Sequence, residues 1–219
     1  MTAITMTERL RSEYPGFTVC WARLTGCDNR PPNEVASSLV DRFPEVVLGN
    51  ADALLAATAP MNRFFKTLDN RARYHIRSLV KATINGRAYR GINPAVDLLY
   101  TAELETGTLM SMHDAARLRG DLTIDVNAAN RTIEAFSGDG VDVARSDIVI
   151  HDESVVVAAV AVGISRAASV GTSSTDILVF AYGCPDDPPG QVRDAVDLAC
   201  ERMQKALAAS VSERGALTA

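Results

Sequence analysis

Groups able to move a proton near neutral pH are scarce in this chain: only three of its 219 residues are histidines, His75, His113 and His151. Two of them precede aspartates, His113-Asp114 and His151-Asp152, but too few further ligands gather at metal-binding spacings, so no metal centre and no cofactor are expected. His75 falls on the apolar edge of a helical pattern and reads as a core histidine. His113 follows Gly107, reads as part of a turn beside a helix end, and is the better candidate for binding or acid/base work. Several familiar sites are absent. Gly171-Thr172-Ser173-Ser174-Thr175 lacks the lysine and leading glycine of a phosphate-binding loop, and there is no GxGxxG. Gly163-Ile164-Ser165-Arg166-Ala167 lacks the second glycine of a nucleophile elbow.

The other chemically suggestive feature is charge. Between Arg63 and Arg90 stand Arg63, Lys66, Arg71, Arg73, Arg77, Lys81, Arg87 and Arg90 against one acid, Asp69, which makes this the candidate phosphate-facing patch or else a solvated helix face. The whole chain carries a net charge of −5, which argues against a surface that attracts nucleic acid generally, and DNA is not an expected partner.

These groups must be held by elements, and the spacing predicts them. Leu68, Ala72, His75, Ile76, Leu79 and Thr83 recur at helical intervals, with Arg73, Arg77 and Lys81 in an i, i+4 row on another face. Asn85-Gly86 ends that helix, Asn93-Pro94 opens the next with an N-cap amide, and Gly107 closes it. Upstream, FTVCWARL (Phe17 to Leu24) reads as a buried strand. Asn33 to Ala59 reads as helical with breaks near Pro44 and Gly49-Asn50, the last piece ended by Pro60. After Gly120 the period turns to strands: Leu122 to Val126, Thr132 to Phe136, Asp147 to His151, Val155 to Ile164 and Ile177 to Tyr182. The continuously apolar VVVAAVAVGI implies a strand covered on both faces. CPDDPPG (Cys184 to Gly190) is a rigid linker, and Gln191 to Ser210 forms an amphipathic helix packing back on the body. Residues from about 211 are expected to be disordered.

With 47% hydrophobic residues the chain can bury one core, as a single domain over residues 1–219. Its longest apolar run is about half of a membrane span, and no apolar leader opens it, so a cytoplasmic protein without a membrane partner is expected. The four cysteines show no CxxC pairing and read as free thiols.

The run RYHIRSLVKA, then INPAVDLLYTAELETG, MHDAARL, GDLTI and finally TSSTDILVF resembles the B3/B4 domain of the phenylalanyl-tRNA synthetase β subunit, and more closely the free-standing proteins built from that domain alone. The resemblance extends over roughly Glu13 to Leu207. It implies an α+β protein of B3/B4-like fold, with a layered β-sandwich-type core and flanking helices. It also implies a cleft that holds an aminoacyl group. In the synthetase that cleft directs water at the ester of mischarged tRNA, using an asparagine, a histidine and a glutamate. The corresponding positions here are Tyr100, Ser111 and Phe180, and the free-standing relatives' VDLYN is VDLLY, so all three polar editing groups are changed.

What the resemblance would leave in the pocket is Tyr100, Ser111 and His113 as catalytic candidates. Arg77, Asn93, Arg166, Thr175 and Phe180 are ligand-binding candidates, an arginine being able to hold a carboxylate through two bonds. The expected ligand is amino-acid-like with an apolar side chain. If tRNA or aminoacyl-tRNA is the partner, Arg63, Lys66, Arg71, Arg73, Lys81, Arg87 and Arg90 would position its phosphates. The rival is a biosynthetic enzyme acting on an amino-acid-derived molecule without nucleic acid; a non-catalytic binding module is a third reading.

Overall fold

A computed structural model describes residues 2–87, 89–135 and 138–219. The chain runs β1 (Ile4–Met6), α1 (Glu8–Glu13), β2 (Thr18–Thr25), α2 (Glu34–Gly49), α3 (Ala51–Ala57), α4 (Ala59–Leu68), α5 (His75–Ile84) and α6 (Pro94–Thr106). It continues through β3 (Leu109–Asp114), β4 (Leu122–Val126), β5 (Arg131–Glu134), β6 (Gly140–Val143), β7 (Ile148–His151), β8 (Val156–Ala159), β9 (Gly163–Ile164), β10 (Asp176–Gly183), α7 (Gln191–Leu207) and β11 (Ser210–Thr218).

Two sheets carry the fold. One has the order β11-β2-β10-β3 and is antiparallel throughout; the other has the order β1-β4-β7-β8-β9, with β1 parallel to β4. β5 and β6 form a separate ribbon. Side chains alternate across β3 and β10, so the two faces of the first sheet bury different things. Leu109, Leu178, Phe180 and Tyr182 enter a core shared with Phe65, Ile124 and Ile150 of the opposing layer. Met110, Met112, Val179 and Ala181 enter a second core, closed by Leu98 and Ala102 of α6 and Ala195 and Met203 of α7. The result is the layered α+β arrangement expected from the sequence. Among the described residues no helix is long and apolar enough to cross a membrane, and the four cysteines are buried free thiols.

Four local readings change. Pro44 sits inside α2, which runs unbroken to Gly49, and Pro60 opens α4, where a proline's missing N–H costs nothing. The expected helix from Leu68 is divided: Leu68 ends α4 and α5 begins at His75. The apolar run after Val155 folds back on itself as the β8–β9 hairpin, with Gly163 at φ +116° permitting the return. Phe136, the expected end of a strand, lies outside the described residues.

The largest difference is the C-terminal segment, expected to be disordered. It is β11, paired with β2 from Ser210↔Thr25 to Thr218↔Thr18. Ala219 closes the pairing, accepting from Gly16 N at 2.8 Å and donating to Phe17 O at 2.8 Å. Gly215 lies flat against Trp21: a Cβ at this position would sit 2.5 Å from the indole ring.

Candidate functional site

Because β3 is the outer strand of its sheet, its free side borders the β8–β9 hairpin of the other sheet. A cavity of about 430 Å³ opens between them, completed by the first turn of α5 and one side of α6. The hairpin wall, residues 158–164, is entirely aliphatic or glycine; Leu79, Val96 and Leu99 add to the apolar lining. Six polar side chains face the space: Arg73, His75, Tyr100, Glu103, Ser111 and Tyr182.

Glu103 is the least expected of these. It lies in the interior of α6, is 1% exposed, and accepts a 2.8 Å hydrogen bond from Met110 N. That N–H is available because alternate residues of an edge strand turn their backbone away from the ladder. His75 Nε2 lies 3.5 Å from the same carboxylate oxygen, and the histidine side chain is 43% exposed. One turn of α6 earlier, Tyr100 stands on the same side of the helix. Burial pushes its phenol up to about 12, so it remains a proton donor at neutral pH.

Ser111 and His113 share a face of β3 at i, i+2 spacing, and Tyr182 lies diagonally across from Ser111 on β10. Ser111 Oγ is 2.6 Å from the Tyr182 hydroxyl and 3.1 Å from His113 Nε2. His113 stands in the strand, not in a turn. It is fully buried, its ring edge-on to Phe180, and does not line the cavity. Burial lowers its pKa to about 4, so the imidazole is neutral at physiological pH. Burial also raises the Tyr182 phenol.

The other sequence candidates lie elsewhere. Arg77 donates to Leu55 O at 2.5 Å and Thr58 Oγ1 at 3.0 Å, fastening the junction of α3 and α4. Asn93 caps α6 by accepting from Val96 N, and also accepts from Asn29 Nδ2. Arg166 pairs with Glu134 at 3.0 Å on the surface. Thr175 borders a separate cleft near Cys27, and Phe180 is buried in the first core, opposite Ser111 and Trp21. None of these five lines the cavity: hydrogen bonding holds Arg77 and Asn93 elsewhere, an ion pair holds Arg166, core packing takes Phe180, and Thr175 lies at the other cleft.

In the basic stretch, Arg63 pairs with Asp186 and Arg71 with Asp69, while Lys66 donates to the carbonyls of Asn70 and Ala72. Arg73 reaches the cavity, and Lys81, Arg87 and Arg90 are exposed. Residues 89–92, which include Arg90, are tied to α6 beside the cavity. Tyr89 OH and Ile92 N both donate to Asp97 Oδ1, at 2.9 and 2.8 Å, and the Tyr89 ring lies 5.2 Å from that of Tyr100.

The hairpin wall is held from behind by Asp147. This carboxylate has no exposed surface and accepts from Ile148 N at 2.8 Å and Ala161 N at 3.1 Å. Desolvation outweighs those bonds and raises its pKa from 3.8 to about 7. A carboxyl with a raised folded pKa binds its proton more tightly when folded. Its contribution is therefore fully present below about pH 4 and is lost as pH rises to about 7. Denaturant melts of wild type and Asp147→Asn between pH 4 and 8 should diverge over that window. Wild type should lose up to about 4 kcal/mol relative to the variant.

The pattern of the B3/4 domain family matches residues 51–204 of the chain. No curated protein matches it. Among solved structures, an N-terminal fragment of the phenylalanyl-tRNA synthetase β subunit from Pyrococcus horikoshii is similar, with a TM-score of 0.53 at 8% identity, over 96% of this chain and 50% of that one. At that identity the likeness is one of fold, and the chain spans half the length of the fragment.

Proposed function

Because the chain belongs to the B3/4 domain family, we propose that its cavity receives an α-aminoacyl group and that the protein hydrolyses the ester joining such a group to tRNA. Glu103 is the observation that carries this reading. Glu103 is 1% exposed and lies in line with Val96 and Leu99 on α6; a buried carboxylate is costly without a cationic partner, and an aminoacyl ester brings an ammonium group and no carboxylate of its own. The amino-acid side chain would lie along the aliphatic hairpin. Tyr100 and Ser111, with His113 behind it, supply neutral hydroxyl groups beside the ester. His75, half-exposed and held near Glu103, is suited to take a proton from the attacking water. Arg73 at the cavity and the exposed Arg87 and Arg90 would meet the phosphates of the tRNA end.

Deacylation of a panel of charged tRNAs tests this directly. Release of amino acid should slow roughly 100-fold in His75→Gln, the usual worth of one general base. In the same preparation, filter binding of charged tRNA should weaken steeply between low and high salt. Salt-insensitive binding together with unchanged rates in His75→Gln would reject both halves of the reading.

One observation favours the rival reading, a small amino-acid-derived substrate with no nucleic acid. Arg63, Lys66, Arg71 and Arg77 are already engaged within the chain, which thins the basic patch to Arg73, Lys81, Arg87 and Arg90. Absence of tRNA binding at low salt, with retained affinity for amino-acid amides or esters, would select it.

A further inference from the structure

The chain Tyr182–Ser111–His113 has two internal contacts, and its direction depends on where the imidazole keeps its proton. His113 Nδ1 is buried and has no hydrogen-bond partner. A neutral imidazole with its proton on Nδ1 would leave a buried N–H unbonded, which folded proteins rarely tolerate. With the proton on Nε2, the unpartnered atom is an acceptor, the milder fault, and Nε2–H donates to Ser111 Oγ.

Proton counting then has a consequence for the cavity. On the Nδ1–H form, the Tyr182 and Ser111 hydroxyls donate in sequence, Tyr182 to Ser111 and Ser111 to Nε2, and nothing is left over. On the Nε2–H form, three protons serve two contacts, and one hydroxyl hydrogen has no acceptor within the chain. Ser111 and Tyr182 both line the cavity, so that hydrogen is offered there. We propose that His113 is a positioning residue which, through its Nε2–H, fixes Ser111 and Tyr182 as a hydrogen-bond donor site in the cavity for a ligand's carbonyl oxygen. Ser111 is then an electrophilic group rather than a nucleophile, because its oxygen already accepts from the imidazole. The carbonyl is that of the aminoacyl group only if the proposed function is correct; the donor site itself is independent of that reading.

Nitrogen-15 NMR of the histidine-labelled protein at pH 7, with the His113 signals assigned by loss in His113→Gln, reads the tautomer directly. Protonated Nε2 with bare Nδ1 is expected; the reverse overturns the proposal. A second arm uses two amine probes, L-phenylalaninamide, which has a carbonyl, and phenethylamine, which does not. Wild type should prefer the amide by about fivefold, the worth of one neutral hydrogen bond. Tyr182→Phe alone should keep that preference, since Ser111 can then donate alone, and the double variant Ser111→Ala/Tyr182→Phe, which has neither hydroxyl, should lose it. Equal preference in wild type and the double variant overturns the donor site. Failure of both amines to bind defeats the aminoacyl reading, and the tautomer measurement still decides the present one.

Discussion

Glu103→Gln is expected to weaken binding of L-phenylalaninamide roughly 10- to 100-fold while leaving the fold intact. Glutamine keeps a carbonyl oxygen for the Met110 N–H, which the carboxylate now holds at 2.8 Å, so the backbone of β3 remains satisfied at the cavity edge. What disappears is the negative charge. A hydrogen bond to a charged group contributes about 1.5–3 kcal/mol, and that difference sets the expected range. Calorimetric titration of the two proteins measures it, and N-acetylated phenylalaninamide, which has no ammonium, should bind poorly and equally to both. A Glu103→Gln variant with wild-type affinity would remove the carboxylate from the ligand's surroundings and with it the main support for an aminoacyl ligand. Glu103→Leu is the less informative change, because it would also leave a buried N–H unpaired at a cost of about 1–3 kcal/mol.

The second large effect concerns the end of the chain. Deleting residues 210–219 should lower the Tm by roughly 10 °C, as a loss on the order of 4 kcal/mol does in a protein of this size. The deletion removes β11 in its register with β2, the packing of Leu217 on the first core, and both bonds made by Ala219. It also uncovers Trp21, against which Gly215 lies. Trp21 is the single tryptophan of the chain, so its emission should shift to the red in the folded truncated protein without interference. Unchanged melting and emission would mean that the strand contributes nothing to the sheet.

That strand also marks where sequence patterning stopped being informative. SVSERGALT alternates, but of its half-buried residues Val211, Glu213, Gly215 and Leu217 only the first and last are apolar, and the glycine among them argues against a strand until a tryptophan is known to lie opposite. By contrast, α6 was legible from both ends, since Asn93-Pro94 and Gly107 are local signals that need no tertiary context. Tyr100 and Ser111 follow from the resemblance to a family pattern, and the structure brings both to the cavity. Glu103 carries a signal in its spacing: it falls four residues after Leu99 and seven after Val96, a carboxylate in line with apolar residues of one helix face. His75 reads as a core residue only if its stripe is one continuous helix from Leu68. The break between Leu68 and His75 puts it at a helix start, where its side chain reaches the opening. Charge alone recommends Arg77 and Arg166, and each is taken up by a partner distant in sequence that periodicity does not reveal.

The β8–β9 hairpin brings alanine, valine, glycine and isoleucine to the cavity, whereas the charged and hydroxyl groups all come from α5, α6, β3 and the approach to α5 or from β10 beside β3. Capacity and reactivity are thus encoded on separate stretches of chain. Methyl groups can be gained or lost along residues 158–164 to admit larger or smaller guests without displacing any group that handles protons or charge. A lineage carrying this fold can therefore change the size of guest it admits by drift in one short, chemically silent segment, and keep its polar groups in place while doing so.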